Sequence, residues 1–139
     1  MESGLAIAEA VASLSKPTAS LTLGGAHSMG LAVAVAAKRS FITPTSTMTI
    51  HPIRWNGPTI GVLQQFEEAQ KIQDRLLDFV VNHSKVERRI LEDMMLEHGK
   101  MLGDFGTILT GAEAVNHHII DEVGGIAEAV QRLRSMEKE

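Results

Sequence analysis

A serine is a weak nucleophile unless the backbone presents it beside a base and a donor for developing negative charge. The stretch Gly24-Gly25-Ala26-His27-Ser28-Met29-Gly30 offers such a place. An apolar, strand-like run, Thr18-Ala19-Ser20-Leu21-Thr22-Leu23, leads into it, and a run of helix-forming small residues, Leu31 to Ala37, leads out. A Gly-rich turn between a buried strand and a helix leaves the first helical N–H groups without partners, and the helix dipole makes them favour an anion. Ser28 could then act as nucleophile, with the Met29 backbone N–H as the oxyanion donor. The pattern has the logic of a nucleophile elbow without being Gly-x-Ser-x-Gly. The same residues also read as an ordinary Gly-rich turn with Ser28 as helix N-cap.

A base is found one strand further on. Met48-Thr49-Ile50-His51-Pro52 closes a second β-like segment. A β–α–β crossover would bring this strand beside the first and carry His51 towards Ser28. A lone strand-end histidine is more often structural, so the case for a base rests on its pairing with Ser28. His27 reads either as a residue lining the site or as an outward-pointing neighbour. His117-His118 invites a metal reading, but adjacent residues on a helix face different ways and no His-Glu-x-x-His motif is present. Neither a metal nor a cofactor is expected.

These motifs resemble the Clp protease proteolytic subunit family, whose elbow has the form Gly-x-Ala-Ser-Met-Gly and whose histidine follows a Met-Ile-like strand. Leu14-Ser15-Lys16-Pro17-Thr18 and Gly106-Thr107-Ile108-Leu109 extend the resemblance, which covers nearly the whole chain. Within the family, the motifs are most like a branch connected with protein export. The resemblance implies an α/β fold of stacked βαβ units of the Clp/crotonase type, in a single domain over residues 1–139. That domain would match the carboxy-terminal two-thirds of the family and lack the amino-terminal βαβ layer with its Gly-Gly loop. It implies a serine peptidase acting on peptide or unfolded protein, in a homo-oligomer; an ATPase partner is left open. It also implies an acid as third member, but aligning Leu109-Thr110 on the family segment puts Gly106 at the acid position. Asp104, two residues upstream, is the nearest carboxylate, and reads either as that acid or as the cap of a turn. His118 stands where the family usually has glycine. Two other readings of the chain stay open: a catalytically weak or inactive assembly or binding protein on the same fold, and a crotonase-like acyl-CoA enzyme.

Composition is compatible with one domain of 139 residues. Hydrophobic residues make up 44% and aromatics only 4%, so the core must be aliphatic. The formal net charge of −4 gives no basic surface for nucleic acid. There is no cysteine, which excludes disulfides and thiolate metal sites. No apolar run approaches the ~20 residues of a membrane span, and the first residues lack the basic and apolar segments of a signal peptide. The expectation is a cytoplasmic protein.

The elements that must position Ser28 and His51 follow from periodicity. Helices are expected over residues 5–14 and 29–38, with Lys16-Pro17 ending the first. Strands are expected over 18–23, 40–42 and 47–50. Asn56-Gly57-Pro58 is a breaker, and a long amphipathic helix follows over about 60–82. Val62, Phe66, Ala69, Leu76 and Val80 form its apolar stripe, with Ile72 and Phe79 beside it. Glu67, Glu68, Lys71, Asp74 and Arg75 take the solvent side. By resemblance this is the helix through which subunits join, and Phe66 or Leu76 is expected beneath another chain; it also reads as an ordinary surface helix. Ser84-Lys85-Val86-Glu87 reads as a capping box for a helix over 85–98 that ends at Gly99. Thr107-Ile108-Leu109 is a strand, and Thr110-Gly111-Ala112-Glu113 is a second capping box. By resemblance Ile119 to Val123 is the family's terminal strand, Gly124-Gly125 breaks it, and Ile126 to Met136 is the last helix.

Overall fold

The computed structural model describes residues 2–54, 61–101 and 104–138, without the side chains of residues 99–101 and 104. In chain order the elements are α1 (Glu2–Ala12), β1 (Ala19–Thr22), β2 (Gly25–His27), α2 (Gly30–Val35), β3 (Arg39–Ile42) and β4 (Thr47–Ile50). They continue as α3 (Val62–Asn82), α4 (Arg88–Leu96), β5 (His98–Met101), β6 (Asp104–Phe105), β7 (Thr107–Thr110), α5 (Gly111–Asn116), β8 (Glu122–Val123) and α6 (Ile126–Met136). This is a mixed α/β fold, as expected.

Two small sheets are built from one pair of bent segments. β1 and β2 are a single stretch of chain broken at Leu23-Gly24, where Gly24 has φ 80°. β3 and β4 are a second stretch, broken over residues 43–46. The first sheet has the order β1-β3-β8, all parallel; the second has the order β2-β4-β7, with β7 antiparallel to β4. The two breaks are fastened to each other. Thr43 N–H donates to the Thr22 carbonyl and Thr47 N–H to the Gly24 carbonyl, while the buried Ser46 hydroxyl also donates to Thr22 O at 3.1 Å. Bending both segments at the same level carries β2 and β4 together as a pair, so the turn after β2 and the end of β4 share one edge.

The crossover between the segments is α2, whose Leu31, Ala32 and Val35 are buried. Against it and against β4 lie Leu76, Leu77 and Val80 of α3 and Leu91, Met94 and Met95 of α4. Each large side chain so buried contributes about 1.5–3 kcal/mol, and among the described residues Phe41 and Phe79 are the buried aromatics in an otherwise aliphatic and methionine core. Arg88, at the start of α4, binds Asp74 and Asp78 of α3 and Glu92 of its own helix, and these hydrogen bonds and charges keep its guanidinium pKa above the usual value.

Several boundaries differ from the sequence expectation. The first helix lies at 2–12 rather than 5–14, and α2 ends at Val35 rather than near 38, where Ala36 N–H turns back to Val33 O. The Ser84–Glu87 capping box does not form. The Ser84 hydroxyl donates instead to the Val80 carbonyl at 2.7 Å, closing the end of α3, and α4 begins only at Arg88. Gly99 is not a C-cap: α4 stops at Leu96 and Gly99 lies inside β5, paired with β6. The terminal strand shrinks to β8. Ile119 and Ile120 are core residues, and Asp121 uses its carboxylate to bind Ser40 N–H at 3.0 Å and Arg39 at 3.1 Å. By contrast, Thr110 and Glu113 make both halves of their capping box, and α6 has the expected ends. The Asn56-Gly57-Pro58 breaker lies outside the described residues.

Helix α3 is divided. Leu76, Leu77, Phe79 and Val80 are buried, but Val62, Leu63 and Phe66 are 69%, 66% and 64% exposed. Leu76, expected beneath another chain, is 2% exposed within this one, because α2 and α4 already cover it. Glu67, Glu68, Lys71, Asp74 and Arg75 are exposed as expected. No helix among the described residues is long and apolar enough to cross a membrane.

Candidate active site

Ser28 stands between the last residue of β2 and the first turn of α2, with φ 55°. A serine in the left-handed region costs about 1–2 kcal/mol relative to the right-handed one. The sharp reversal lifts its side chain out of the strand's alternation at the sheet edge, which is the geometry of a nucleophile elbow. Ser28 is not an N-cap. Met29 holds that position without a side-chain cap bond, and among the described residues the Ser28 hydroxyl makes no hydrogen bond. The Ser28 N–H is occupied by Thr49 O at 3.2 Å, and the Ser28 carbonyl accepts from Leu31 N–H at 3.0 Å. The Met29 N–H, in contrast, has no acceptor among the described residues. One free backbone donor therefore lies next to one free hydroxyl, at a helix start where negative charge is favoured.

His51 follows the last residue of β4. β2 and β4 are parallel with His27 opposite Thr49, and the Ser28–Thr49 bond continues the ladder. The Ser28 turn and His51 are thus neighbours at the same end of the sheet, the carboxyl end that ligands favour in α/β folds. The two side chains are not hydrogen-bonded to each other. The half-buried His51 ring has its Nδ1 2.7 Å from the Pro52 carbonyl. A carbonyl oxygen can only accept, so Nδ1 carries the proton and Nε2 is left with the lone pair. Nε2 is the nitrogen that a general base needs, and the backbone fixes the tautomer.

The third position is occupied differently. β4 and β7 pair from Thr47↔Thr110 to Ile50↔Thr107, so the next residue on each strand is His51 on one and Gly106 on the other. The position aligned with the family acid thus follows directly on the paired segment that ends beside His51, and it carries no side chain. Gly106 has φ 132°, is buried, and donates its N–H to Glu97 O at 2.9 Å. The Asp104 backbone lies in β6, and its side chain is outside the described residues.

His27 points along the sheet face. Its Nδ1 is 2.7 Å from Thr49 Oγ1, and its ring lies over Gly25, where a β-carbon would overlap Nε2. It braces β2 against β4 and fills the place of a side chain at residue 25. His117 and His118 sit at the end of α5. His118 has φ 60°, a conformation that explains why glycine is the easier residue there.

Two features escaped the sequence reading. The Pro52 carbonyl as partner of the histidine has no side-chain signal. Gly4 had one, since a glycine within a helix calls for a packing reason; a β-carbon there would lie 3.0 Å from Met29 Cβ.

Fold and turn together define an α/β protein with a serine at a strand–turn–helix elbow. The chain belongs to the Clp protease family, whose model matches residues 1–127. It is also similar to the translocation-enhancing protein TepA of Halalkalibacterium halodurans, with 49% identity over 136 residues, 98% of this chain. That alignment takes in 53% of the relative, so the chain spans about half its length.

Proposed function

We propose that the protein is a serine peptidase acting on peptide bonds in extended or unfolded chains. The observation that carries this reading is Ser28 at φ 55°, its hydroxyl and the adjacent Met29 N–H both without a partner among the described residues. Ser28 Oγ attacks the scissile carbonyl carbon and gives its proton to His51 Nε2. Met29 N–H stabilises the oxyanion. The C–N bond breaks as His51 returns that proton to the leaving amine, and water then cleaves the acyl-serine by the same route. The Pro52 carbonyl holds Nδ1–H throughout. Asp104 is the carboxylate the sequence offers to the resulting imidazolium. The relative's name links it to translocation, and we extend that setting to this chain: its substrates are polypeptides in the course of export.

A fluorophosphonate probe tests this reading. Covalent labelling at Ser28, slowed when His51 is replaced by alanine, is the expected result. A folded protein that takes up no label would instead favour the assembly or binding reading, for which Gly106 at the acid position already speaks. The family match favours a peptidase over an acyl-CoA enzyme.

We also propose a homo-oligomer formed through the exposed first half of α3. Val62, Leu63 and Phe66 make an apolar patch on one helix face that none of the described residues covers. Light scattering should give a multiple of the chain mass, reduced by Leu63→Glu with Phe66→Glu. A monomer mass at high protein concentration overturns this.

A further inference from the structure

We propose that Gly4 is a positioning residue for the oxyanion donor: the absence of a side chain lets α1 close on the elbow and set the Met29 N–H. The proposal rests on the acyl-transfer reading above. A β-carbon on residue 4 would lie 3.0 Å from Met29 Cβ, 3.6 Å from its Cε and 3.7 Å from its Cγ. The two longer contacts are ordinary packing that a flexible methionine can adjust. The shortest is different, because Cβ is bonded directly to Met29 Cα and no side-chain rotation moves it. Relief must come from the backbone of one helix or the other.

Helix α1 is poorly placed to give way. The next residue, Leu5, is 5% exposed, and Ala8, one turn on, is fully buried in the core. The Met29 side chain packs against the core, but its backbone has less support: it lies between a residue at φ 55° and the first residue of α2, and its N–H has no acceptor among the described residues. A side chain at residue 4 therefore displaces Met29 by a few tenths of an ångström, and with it the donor. Misplacement by 1 Å in an active site can cost ~10²-fold, and outright loss of one oxyanion donor costs about 10²–10³-fold.

The test is Gly4→Ala in the complete protein, followed by the second-order rate of Ser28 labelling with a fluorophosphonate. We expect the rate to fall about 3- to 30-fold, a fraction of the loss for a missing donor. KM for a peptide substrate should stay unchanged while kcat falls. The thermal midpoint should not drop in step, because alanine is the better helix former. The Met29 amide resonance should shift, while those of Val33 and Val35, further along α2, should not. Labelling of Gly4→Ala at the wild-type rate overturns the proposal, as does an unmoved Met29 amide. A wild-type protein that takes no label overturns the underlying catalytic reading instead, and the Met29 resonance still reports on the contact.

Discussion

Ser28→Ala and His51→Ala are each expected to bring peptide hydrolysis down to the same floor, and the double variant to fall no further. In the proposed mechanism the two residues act as a unit, because the serine is inert without a base and the base has nothing to deprotonate without the serine. Losses in such a unit are strongly non-additive, and the residual catalysis of about 10³–10⁴ over water comes from the oxyanion donor and from binding. The wild-type level should itself lie below that of a full Ser-His-Asp site. Loss of the acid in such sites costs ~10⁴, in large part through the wrong imidazole tautomer. Here the Pro52 carbonyl, 2.7 Å from His51 Nδ1, secures the right tautomer but supplies no negative charge to the imidazolium. The measurement is kcat/KM for an unstructured peptide with the two single variants and the double. Ser28→Ala retaining wild-type turnover, or losses that add, would end the proposed mechanism.

Gly106→Asp is expected to destabilise the protein without raising turnover, even though it puts an acid at the position aligned with the family acid. The backbone there has φ 132°, which only glycine adopts without strain. A side chain forced into such a region costs of order 1–3 kcal/mol. The residue is also buried, and its N–H is committed to Glu97 O at 2.9 Å. An aspartate placed on this glycine-specific path is therefore not expected to recover the geometry of a triad. Denaturant unfolding and kcat on the same variant decide the matter. A higher kcat with stability unchanged would show that the path adapts readily and that only the carboxylate was missing.

Features set by neighbours in sequence were legible, and those set by distant pairing were not. The Thr110–Glu113 box formed as read because all its bonds close within one turn. The Ser84–Glu87 box has the same letters, yet its serine is spent on the end of α3, and Arg88 is held at the head of α4 by two carboxylates on α3. Nothing in the local pattern announces either. Gly99 looked like the end of a helix and proved to lie in a strand, since pairing with β6 outweighs a local stop signal. Gly25–His27 was read as part of a turn; it is a three-residue strand because Thr47 to Thr49 lies alongside it. At the site, the strand–turn–helix around Ser28 was readable from the glycines and the flanking apolar runs. The contact of Gly4 with Met29 and the Pro52 carbonyl beside His51 depend on how α1 and the end of β4 come to rest, which no spacing encodes.

Helix α3 is continuous in its hydrogen bonds but not in what holds it. From Leu76 to Val80 it is pinned by the core, whereas around Val62 to Phe66 its apolar side chains face outward. With so little buried apolar surface, its first turns are expected to open at a lower free energy than the core-packed half. Any partner that settles on Leu63 and Phe66 thus does more than add surface: it completes the folding of a helix whose other half is already fixed. If that partner is a second copy, as proposed, the stability of those turns depends on protein concentration while that of the elbow does not.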